Sequence, residues 1–473
     1  MPDFPKILHV VLLILVVILS FNLIIFVHEL GHFLAAKWRG LQVDRFQIWF
    51  GKPIWKKEIG GVQYGLGWIP AGGFVALPQM APMEAIEGSN SEGRQLPPIK
   101  PIDKIIVAFA GPFFSISLAL LAACVVTAIG KPADVVPSQL VGSVLKDSPA
   151  EQAGIRVGDK IIAVNGEPVN GFTGHLDSIF ERIILSKGKD ITFTVERKGE
   201  SAPLTMTSTF KIEETKWFQR RALRRVGIGP EVEHMEIGVV TEGSPAARAG
   251  LQAGDRLLQI DGNNIFNADE FLRLVKAAET RPFVLDYERD GKPAKVTLQA
   301  EVPISPEGKP PMVGIVPDEV SFVDSRMINP SPFKQVGDSL QMMWMTISRV
   351  VSPDSSIGID HLSGPVGIAE VKFKMLEMDH PANRLLAFFV LFNVNLAVLN
   401  MMPFPVLDGG HIVLALMESA ARKPVKAKFL EYLQMVFAML LIGVMLYVTS
   451  KDIGDRFGRG GKASEKVIFK QPS

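Results

Sequence analysis

Two histidines and a glutamate stand together in the run His28-Glu29-Leu30-Gly31-His32. On a helix, residues four apart share one face, so both imidazoles can reach one metal ion while Glu29 lies beside them. Imidazole nitrogen is a good zinc ligand, and a neighbouring carboxylate can take a proton from water. The motif therefore predicts a hydrolytic zinc site, with His28 and His32 as ligands and Glu29 as the catalytic base.

The setting of the motif is unusual, because it lies inside a long apolar run, residues 7–36. A charged side chain at mid-membrane depth costs about 2.5–3.5 kcal/mol on insertion scales, so ionisable groups there indicate function. The run is too long for a cleaved signal peptide, has Lys6 as its one preceding basic residue, and contains the motif itself. We expect a retained membrane helix.

The composition is typical of a membrane protein with large water-exposed parts. Mean hydropathy is positive, yet 21% of the 473 residues are charged, and they concentrate in the middle of the chain. A net charge of +1 argues against nucleic acid as a partner. The single cysteine, Cys124, excludes a disulfide framework and a cysteine-rich zinc site.

Four apolar segments are long enough, or nearly so, to cross a bilayer: residues 7–36, 105–129, 385–416 and 429–449. Pro403 and Pro405 interrupt the third segment, since proline removes an amide donor and breaks a helix. Broken backbone at membrane depth is tolerated where protein or a water-filled cavity satisfies its polar groups. We therefore expect this segment to line a site.

Basic residues in the loops indicate orientation, because Lys-rich and Arg-rich loops stay in the cytoplasm. They form one cluster after the first helix and another between the last two: Lys37, Arg39, Arg45, Lys52, Lys56, Lys57, and Arg422, Lys423, Lys426, Lys428. The middle of the chain is then outside. The basic tail after Thr449 favours the opposite orientation, although an even number of crossings leaves it outside.

A third zinc ligand is predicted in the run Asn400-Met401-Met402-Pro403-Phe404-Pro405-Val406-Leu407-Asp408-Gly409-Gly410. A catalytic zinc takes three protein ligands, and two histidines with one carboxylate are an established set. Prolines and glycines free the backbone, so Asp408 can turn toward His28 and His32. The alternative is an ordinary turn aspartate before glycines, which is less expected inside a membrane segment.

The middle of the chain contains an internal repeat at one constant offset. Ser148-Pro149-Ala150, Ala153-Gly154, Gly158-Asp159 and Asn165-Gly166 recur as Ser244-Pro245-Ala246, Ala249-Gly250, Gly254-Asp255 and Asp261-Gly262. Two copies of one domain follow. The pattern resembles the PDZ domain, which binds an extended peptide as an added strand. Most repeat glycines are turn positions, so peptide binding by either copy stays open.

The predicted fold is an α-helical transmembrane bundle of four helices with a membrane-associated β-hairpin, plus two tandem PDZ-like α+β domains. The first two helices occupy residues 1–130, and the hairpin lies within them at about 40–80. The PDZ-like domains occupy 135–215 and 232–303. A connecting region at 304–380, the last two spans at 381–450 and a tail at 451–473 complete the chain. Residues 331–352 have the apolar spacing of an amphipathic helix. This helix could lie along the membrane surface, pack on a PDZ copy, or pack in a protein core, and the sequence leaves the three placements open.

Taken together, these motifs resemble the site-two protease family of membrane zinc peptidases, above all its bacterial envelope-stress members. The matching pieces are HExxH, the NxxPxPxLDG form ending at Asp408, Leu362-Ser363-Gly364-Pro365, and the tandem PDZ pair. The resemblance implies that His28, His32 and Asp408 bind Zn²⁺, that Glu29 is the base, and that Asn400 lies near the bound peptide.

The resemblance also implies how substrate is held. Residues 64–77, with Tyr64, Gly72, Gly73 and Phe74, should form a membrane-embedded hairpin that binds the substrate as a strand. The expected substrates are single-pass membrane proteins, namely anti-sigma factors of the envelope stress response and remnant signal peptides. The expected location is the bacterial inner membrane, with the PDZ domains in the periplasm and restricting substrate access.

Two departures from the family pattern concern helix packing and substrate details. The family's GPxxN appears with Ser115 in place of the asparagine, after Gly111-Pro112-Phe113-Phe114, and its GFG appears as Trp49-Phe50-Gly51. Neither change is expected to touch a metal ligand or the base.

Two other classes of protein remain as alternatives. A catalytically inactive, PDZ-bearing scaffold or quality-control adaptor has no need to keep a carboxylate beside two membrane imidazoles. A metal transporter usually has polar residues in several helices and repeated halves, whereas the repeat here is in the soluble part.

Overall fold

The computed structural model describes residues 4–80, 99–305, 309–320, 326–422, 427–459 and 468–469. The chain divides into two compact units. The helical unit comprises Met1–Pro132, Met327–Ser348 and Leu362–Asp452. The α/β unit comprises Ala133–Arg326, Arg349–His361 and Ile453–Ser473. Each unit is therefore assembled from segments that are distant in sequence.

The elements of the described residues are numbered in chain order. The helices are α1 (Phe4–Arg39), α2 (Pro101–Ile129), α3 (Pro149–Gln152), α4 (Ile179–Ile184), α5 (Pro245–Arg248), α6 (Ala268–Ala278), α7 (Pro332–Val351), α8 (Pro365–Glu377), α9 (Pro381–Asn400), α10 (Asp408–Ala421) and α11 (Ala427–Arg459). The strands are β1 (Arg45–Ile59), β2 (Val62–Ala76), β3 (Lys131–Pro132), β4 (Val141–Val144), β5 (Lys160–Val164), β6 (Glu167–Pro168), β7 (Asp190–Glu196), β8 (Leu204–Thr209), β9 (Ile228–Pro230), β10 (His234–Val240), β11 (Arg256–Ile260), β12 (Asn263–Asn264), β13 (Phe283–Arg289), β14 (Lys292–Leu298), β15 (Ile315–Val320) and β16 (Met327–Ile328).

Four helices of the described residues are long and apolar enough to cross a membrane. They contain the spans Ile18–Arg39, Pro101–Ile129, Pro381–Asn400 and Phe429–Arg456. The four predicted spans are thus confirmed by length and composition. The predicted interruption of the third segment is also present, because α9 ends at Asn400 and α10 begins at Asp408.

The break between α9 and α10 is held by close backbone contacts. A Cβ on Gly409 would lie 2.3 Å from the Met401 carbonyl oxygen, and one on Gly410 would lie 2.0 Å from that of Phe404. Gln434 of α11, buried at 2% exposure, donates from Nε2 to the Pro405 carbonyl at 3.3 Å. Protein groups therefore satisfy the broken backbone, as expected for a non-helical segment at membrane depth.

Strands β1 and β2 form a small sheet in which both strands double back. Residues 45–48 of β1 run antiparallel to residues 73–76 on one side and parallel to residues 63–66 on the other, as their register shows. The predicted pairing within residues 64–77 is therefore wrong. The two halves of this segment pair with β1, which lies between them, and not with each other. Residues 73–76 form an outer segment of this sheet.

The Leu362-Ser363-Gly364-Pro365 motif lies at the start of α8. The Asp452 carboxylate of α11 accepts hydrogen bonds from the amides of Gly364 at 3.1 Å and Gly367 at 2.8 Å. A Cβ on Gly367 would lie 2.7 Å from Asp452 Oδ1, so the glycine permits this contact. The motif thus ties the first turn of α8 to the end of the last span.

The predicted amphipathic segment 331–352 forms α7. Val336 packs against the buried cluster that contains Val394 of α9, and Gln335 Nε2 donates to the Ala123 carbonyl of α2 at 3.1 Å. Of the three placements left open, core packing within the helical unit is the one observed for this half of the helix.

The α/β unit contains two modules with a similar order of elements. In the first module, β6-β5-β7-β8 form one sheet and β4 pairs with β9. In the second, the sheet order is β14-β13-β11-β10-β15, with β12 on β11. Each module has its own apolar core, one around Phe172 and Phe193 and the other around Phe271 and Phe283. β9 and β15 extend the modules beyond the predicted ends at 215 and 303.

The repeated Gly-Asp pair has a structural role in both modules. Asp159, 1% exposed, accepts two hydrogen bonds from Arg197 at 2.7 and 2.8 Å. Asp255, 2% exposed, accepts two from Arg289 at 2.6 Å each. The repeat therefore preserves a buried, bidentate ion pair, which is among the stronger kinds of charge-assisted hydrogen bond.

The chain after the fourth span returns to the α/β unit. α11 continues beyond the predicted end at residue 449, and the Arg220 amide donates to Asp455 Oδ1 at 3.1 Å. Ile468 forms a β-bridge with Ser305. Lys423 and Lys426, used above for orientation, lie outside the described residues, as does Lys462 of the tail.

The Asp255–Arg289 pair predicts an acid-dependent loss of stability. Burial raises the pKa of the Asp255 carboxyl, but hydrogen bonds from Arg289 and the Gln252 amide and the Arg289 charge outweigh it, so the pKa lies below 3.8. A lowered pKa stabilises the fold above the ordinary pKa, and that stabilisation is lost as pH falls through the folded value. We expect D255N to lower the unfolding midpoint at pH 7 by roughly 5 °C or more.

The measurement is thermal unfolding of wild type and D255N in detergent at pH 7 and pH 3. The difference in unfolding midpoint should be smaller at pH 3, because that pH lies below the ordinary pKa of the carboxyl and part of the stabilisation is then lost. D286N is the matched control, because Asp286 pairs with the exposed Lys295 and such pairs contribute little. A gap of equal size at both pH values would contradict the account.

Candidate metal centre

Three ligand atoms from distant parts of the chain converge inside the helical unit. His28 Nε2 lies 3.2 Å from His32 Nε2 and 3.2 Å from Asp408 Oδ2. His32 Nε2 lies 3.3 Å from Asp408 Oδ1. The two imidazoles come from one face of α1, and the carboxylate comes from the first residue of α10.

The spacing of the two imidazole nitrogens and the two Asp408 oxygens fits a tetrahedral zinc ion. Ligand atoms about 2.0–2.2 Å from such an ion stand about 3.3–3.6 Å from one another. Among the described residues, His28, His32 and Asp408 are the group of possible metal ligands whose atoms all lie within 4.8 Å of one another. Asp408 Oδ2 is buried and has no hydrogen bond from any described residue. A buried carboxylate oxygen that lacks a donor is unfavourable unless a cation satisfies it.

The other nitrogen of each imidazole has a partner in α2. His28 Nδ1 lies 3.0 Å from the Ser115 hydroxyl, which is fully buried. His32 Nδ1 lies 2.8 Å from the Val107 carbonyl oxygen, to which it donates. These contacts direct both Nε2 atoms toward Asp408. Groups that hold the distal nitrogen of a metal-binding histidine orient the ring and raise its basicity.

Ser115 corrects one expectation from sequence. The departure at this position was expected to leave the metal ligands untouched, but its hydroxyl is the partner of His28. Sequence reasoning missed both α2 partners because neither has a metal-binding side chain. Gly111 was the available signal: its Cβ would lie 2.2 Å from His32 Nε2, so α2 must approach the imidazole closely.

Two glycines allow α1 and α2 to pack at this distance. A Cβ on Gly31, inside the HExxH motif, would lie 2.5 Å from the Ala110 carbonyl oxygen. Gly111 faces the His32 ring from the opposite helix. Small residues at a helix contact let backbones approach closely, which is common inside membranes. Here the close approach brings the carbonyl and hydroxyl of α2 to the two imidazoles.

Asp408 is placed by the start of α10. Its position in the first turn is favourable for a carboxylate, because the N-terminal end of a helix carries partial positive charge. Farther along α10, Glu418 forms an ion pair of 2.7 Å with Lys104 of α2. The break before Asp408 and the Lys104–Glu418 pair together hold the helix against α2.

A cavity of about 400 Å³ adjoins the three ligand atoms. Glu29, Asn400 and His411 line it, together with segments of α2, β2 and the break before α10. The Asn400 amide lies 3.4 Å from His28 Nε2. The cavity therefore places an amide and a second carboxylate beside the predicted metal position, with room for a peptide segment.

The outer segment of β2 forms one wall of this cavity. Gly72, Gly73, Phe74 and Val75 line it, and a Cβ on Gly73 would lie 3.4 Å from Glu29 Cγ. Residues 73–76 pair with β1 on one side and have no second strand partner among the described residues. Three of the four residues predicted to contact substrate in this region therefore lie at the cavity.

Tyr64 is the exception, because it does not line the cavity, and its substrate contact stays a prediction. Its backbone pairs with Phe46 on one side and Lys57 on the other, so it offers no free edge. Its ring packs near those of Phe33 and Phe46. Tyr64 is part of the apolar core beneath the sheet, away from the residues that line the cavity.

The second departure, Trp49, is held in an unusual conformation beside the cavity. Its φ of 67° lies in the left-handed region, which favours glycine. The indole nitrogen donates to the Asn22 side-chain oxygen of α1. Gln47 Nε2 donates to the carbonyls of Trp49 and Gly51 at 2.9 Å each. Side-chain hydrogen bonds thus hold a bulge that glycine forms in the family pattern.

Comparison with known proteins identifies the class. The model of peptidase family M50 matches residues 16–444, which is most of the chain. The chain belongs to this family, the site-two proteases, as the motifs predicted. It is an intramembrane metalloprotease, and zinc is its cofactor.

Several named relatives match nearly the whole chain. Protease RseP of Yersinia pestis is 29% identical over 448 residues, covering 90% of this chain and 95% of that protein. A zinc metalloprotease of Neisseria meningitidis is 29% identical over 453 residues, covering 92% and 97%. The regulator of sigma-E protease RseP of Escherichia coli is 28% identical over 456 residues, covering 90% and 95%.

One solved structure is similar to a smaller part. A PDZ domain of an SdrC-like protein from Listeria monocytogenes covers 17% of this chain and 84% of its own at 25% identity, with a TM-score of 0.16. A TM-score this low carries no argument about the fold of either module.

The Ser115 contact predicts that S115A weakens zinc binding. Loss of such an outer partner typically costs 10–100-fold in metal affinity, and we expect a decrease of about that size. Competition with a fluorescent zinc chelator measures it. S117A is the matched control, because Ser117 lies on the same helix and its hydroxyl donates to the Phe113 carbonyl. Equal affinity of S115A and wild type would contradict the assignment.

Proposed function

We propose that this protease hydrolyses peptide bonds within the transmembrane segments of single-pass membrane proteins, with His28, His32 and Asp408 holding the zinc and Glu29 as the base. The observation that carries the proposal is the convergence of three ligand atoms at 3.2–3.3 Å within a unit that has four apolar spans. A peptide bond in a membrane helix reaches such a site without leaving the bilayer.

The residues around the cavity divide the chemistry between them. His28, His32 and Asp408 would hold the zinc, which would supply an activated water and polarise the scissile carbonyl. Glu29 takes the proton from the attacking water and later delivers it to the leaving amine. Gly73 lies against the Glu29 side chain, since a Cβ there would lie 3.4 Å from Glu29 Cγ. Asn400 binds the substrate backbone, since its amide lies beside His28 at the cavity wall.

The substrate binds as an added strand on residues 73–75 of β2. A bond inside a helix is shielded by intrahelical hydrogen bonds, so the substrate must unwind locally before water attacks. Its freed amides need partners, because lipid offers none. The outer segment of β2 lines the cavity and has an open edge among the described residues, which suits strand addition.

The two modules of the α/β unit are proposed to be PDZ-like domains that restrict access. They repeat the same buried Asp–Arg pair and the same order of elements, which supports a common fold. A substrate with a bulky outside domain is excluded, so cleavage follows trimming by an earlier protease. The relative from Escherichia coli is named a regulator of sigma-E protease, which supports an anti-sigma factor as substrate. Remnant signal peptides are a second substrate group.

The proposed location is the bacterial inner membrane with both modules in the periplasm. The modules lie in sequence between the second and third spans, and the tail follows the fourth. Contacts of Asp455 and Ile468 with the α/β unit support an even number of crossings, because tail and modules are then on one side. The basic loops after α1 and before α11 are then cytoplasmic.

Replacing Glu29 with Gln tests the reaction. The amide keeps the size of the side chain but cannot accept the proton, so cleavage should fall by about 10²–10⁴-fold while zinc content stays unchanged. The measurements are cleavage of a single-pass substrate in proteoliposomes and metal analysis of the same preparation. E431Q is the control, because Glu431 is an exposed carboxylate of α11.

Cleavage by E29Q at the wild-type rate would refute the assignment of the base. A wild-type protein that binds zinc, restores the stress response in cells and fails to cleave any single-pass substrate would favour the scaffold instead.

A further inference from the structure

Ile468 and Phe469, near the C-terminus, lie on the second module, where Ile468 forms a β-bridge. The Ile304 amide donates to the Ile468 carbonyl at 2.8 Å, and the Ile468 amide donates to the Ser305 carbonyl at 2.9 Å. These bonds form an antiparallel bridge between Ser305 and Ile468. The tail therefore adds to extended backbone that follows β14.

The neighbouring aromatic residue is buried in the same place. Phe469 is 3% exposed, whereas Ile468 is 49% exposed. A Cβ on Gly314 would lie 3.1 Å from Phe469 Cε2 and 2.2 Å from Ser244 Cβ. The Phe469 ring thus lies against the glycine that precedes β15, close to the capping serine of α5. One side chain is buried and its neighbour points to solvent, which is the alternation of a bound strand.

The host surface is built for this contact. Gly314 has a φ of 77°, which favours glycine, and its carbonyl accepts a hydrogen bond from Thr241 at 2.8 Å. Ser244, fully buried, accepts at its hydroxyl from the Ala247 amide at 3.2 Å. Because these groups are fixed by the module itself, the position for the aromatic ring is set by the module and filled by the tail.

We propose that residues 304–305 with the Gly314 turn are a peptide-binding site, and that the tail of this same chain is its resident ligand. The site takes an extended peptide in which an aliphatic residue is followed by an aromatic one. Such a peptide from another protein binds when the tail leaves. The site is separate from the outer edge of β15, where PDZ-type strand addition would place a ligand, because the tail pairs with residues 304–305.

The tail is covalently joined to the module that it occupies, so it competes strongly with a free peptide for the same site. A tethered segment has an effective concentration that reaches the millimolar range for short flexible linkers. A free peptide of the same sequence therefore binds poorly while the tail is in place. Neither zinc nor Glu29 takes part, so this proposal and the proposed protease reaction can fail separately.

The test uses a fluorescein-labelled peptide with the sequence of residues 464–473, titrated with purified protein in detergent and followed by anisotropy. A chain ending at Arg459 should bind it at least tenfold more tightly than the full chain. The same peptide with F469D should not bind the shortened chain. Equal binding of the labelled peptide by both proteins, or equal binding of the two peptides, would overturn the proposal.

A full-length F469D protein guards against misfolding of the shortened chain. It keeps the whole tail but cannot bury an aspartate against Gly314, so it should bind the labelled peptide as the shortened chain does. If full-length F469D binds the labelled peptide no more tightly than the wild-type protein does, the proposed site is contradicted.

A cross-link tests the resting contact directly. Antiparallel pairs joined by such hydrogen bonds have Cα atoms about 5.5 Å apart, within the range for a disulfide. In a chain with C124A, the pair S305C and I468C should oxidise in membranes as readily as E301C and M312C, which form another bridge. S305C alone is the control. If E301C and M312C form a disulfide and S305C and I468C do not, the proposal is overturned.

Discussion

A buried carboxylate opposite two imidazole nitrogens is the interaction on which the helical unit depends. Asp408 Oδ2 lies 3.2 Å from His28 Nε2 yet has no hydrogen bond from any described residue. The distal nitrogens are already engaged by Ser115 and Val107 of α2. A bound cation would satisfy the two imidazoles and the carboxylate together, and such groups are costly to leave without partners in a low-dielectric setting. We therefore expect zinc binding to be coupled to the packing of α1, α2 and α10.

This constraint explains features that otherwise look like irregularities. The glycines at 31 and 111 bring α1 and α2 within reach of each other, and the proline-broken segment turns Asp408 inward. The broken backbone finds a partner in Gln434 of the last span. The doubled sheet of β1 and β2 brings residues 73–76, whose second edge has no strand partner among the described residues, beside Glu29.

Sequence predicted the parts of the site whose chemistry is local. HExxH spacing, the proline break and Asp408, and the repeat were all readable, because helical period, lost amides and turn glycines are properties of short segments. The position of Tyr64 away from the cavity could not be predicted, because strand pairing decides which edge is free and β1 lies between the two halves of the predicted hairpin. Ser115 was missed because its role depends on how closely two helices approach. The tail contact involves residues 468–469 and 304–305, whose spacing carries no pattern.

X-ray absorption at the zinc K-edge, measured on the purified wild-type protein and on D408N, tests the central claim most directly. The account predicts two imidazoles and oxygen ligands at about 2.0–2.2 Å in a four-coordinate site, with zinc binding weakened in D408N. A wild-type spectrum with one imidazole or none, or a spectrum and affinity unchanged in D408N, would contradict it.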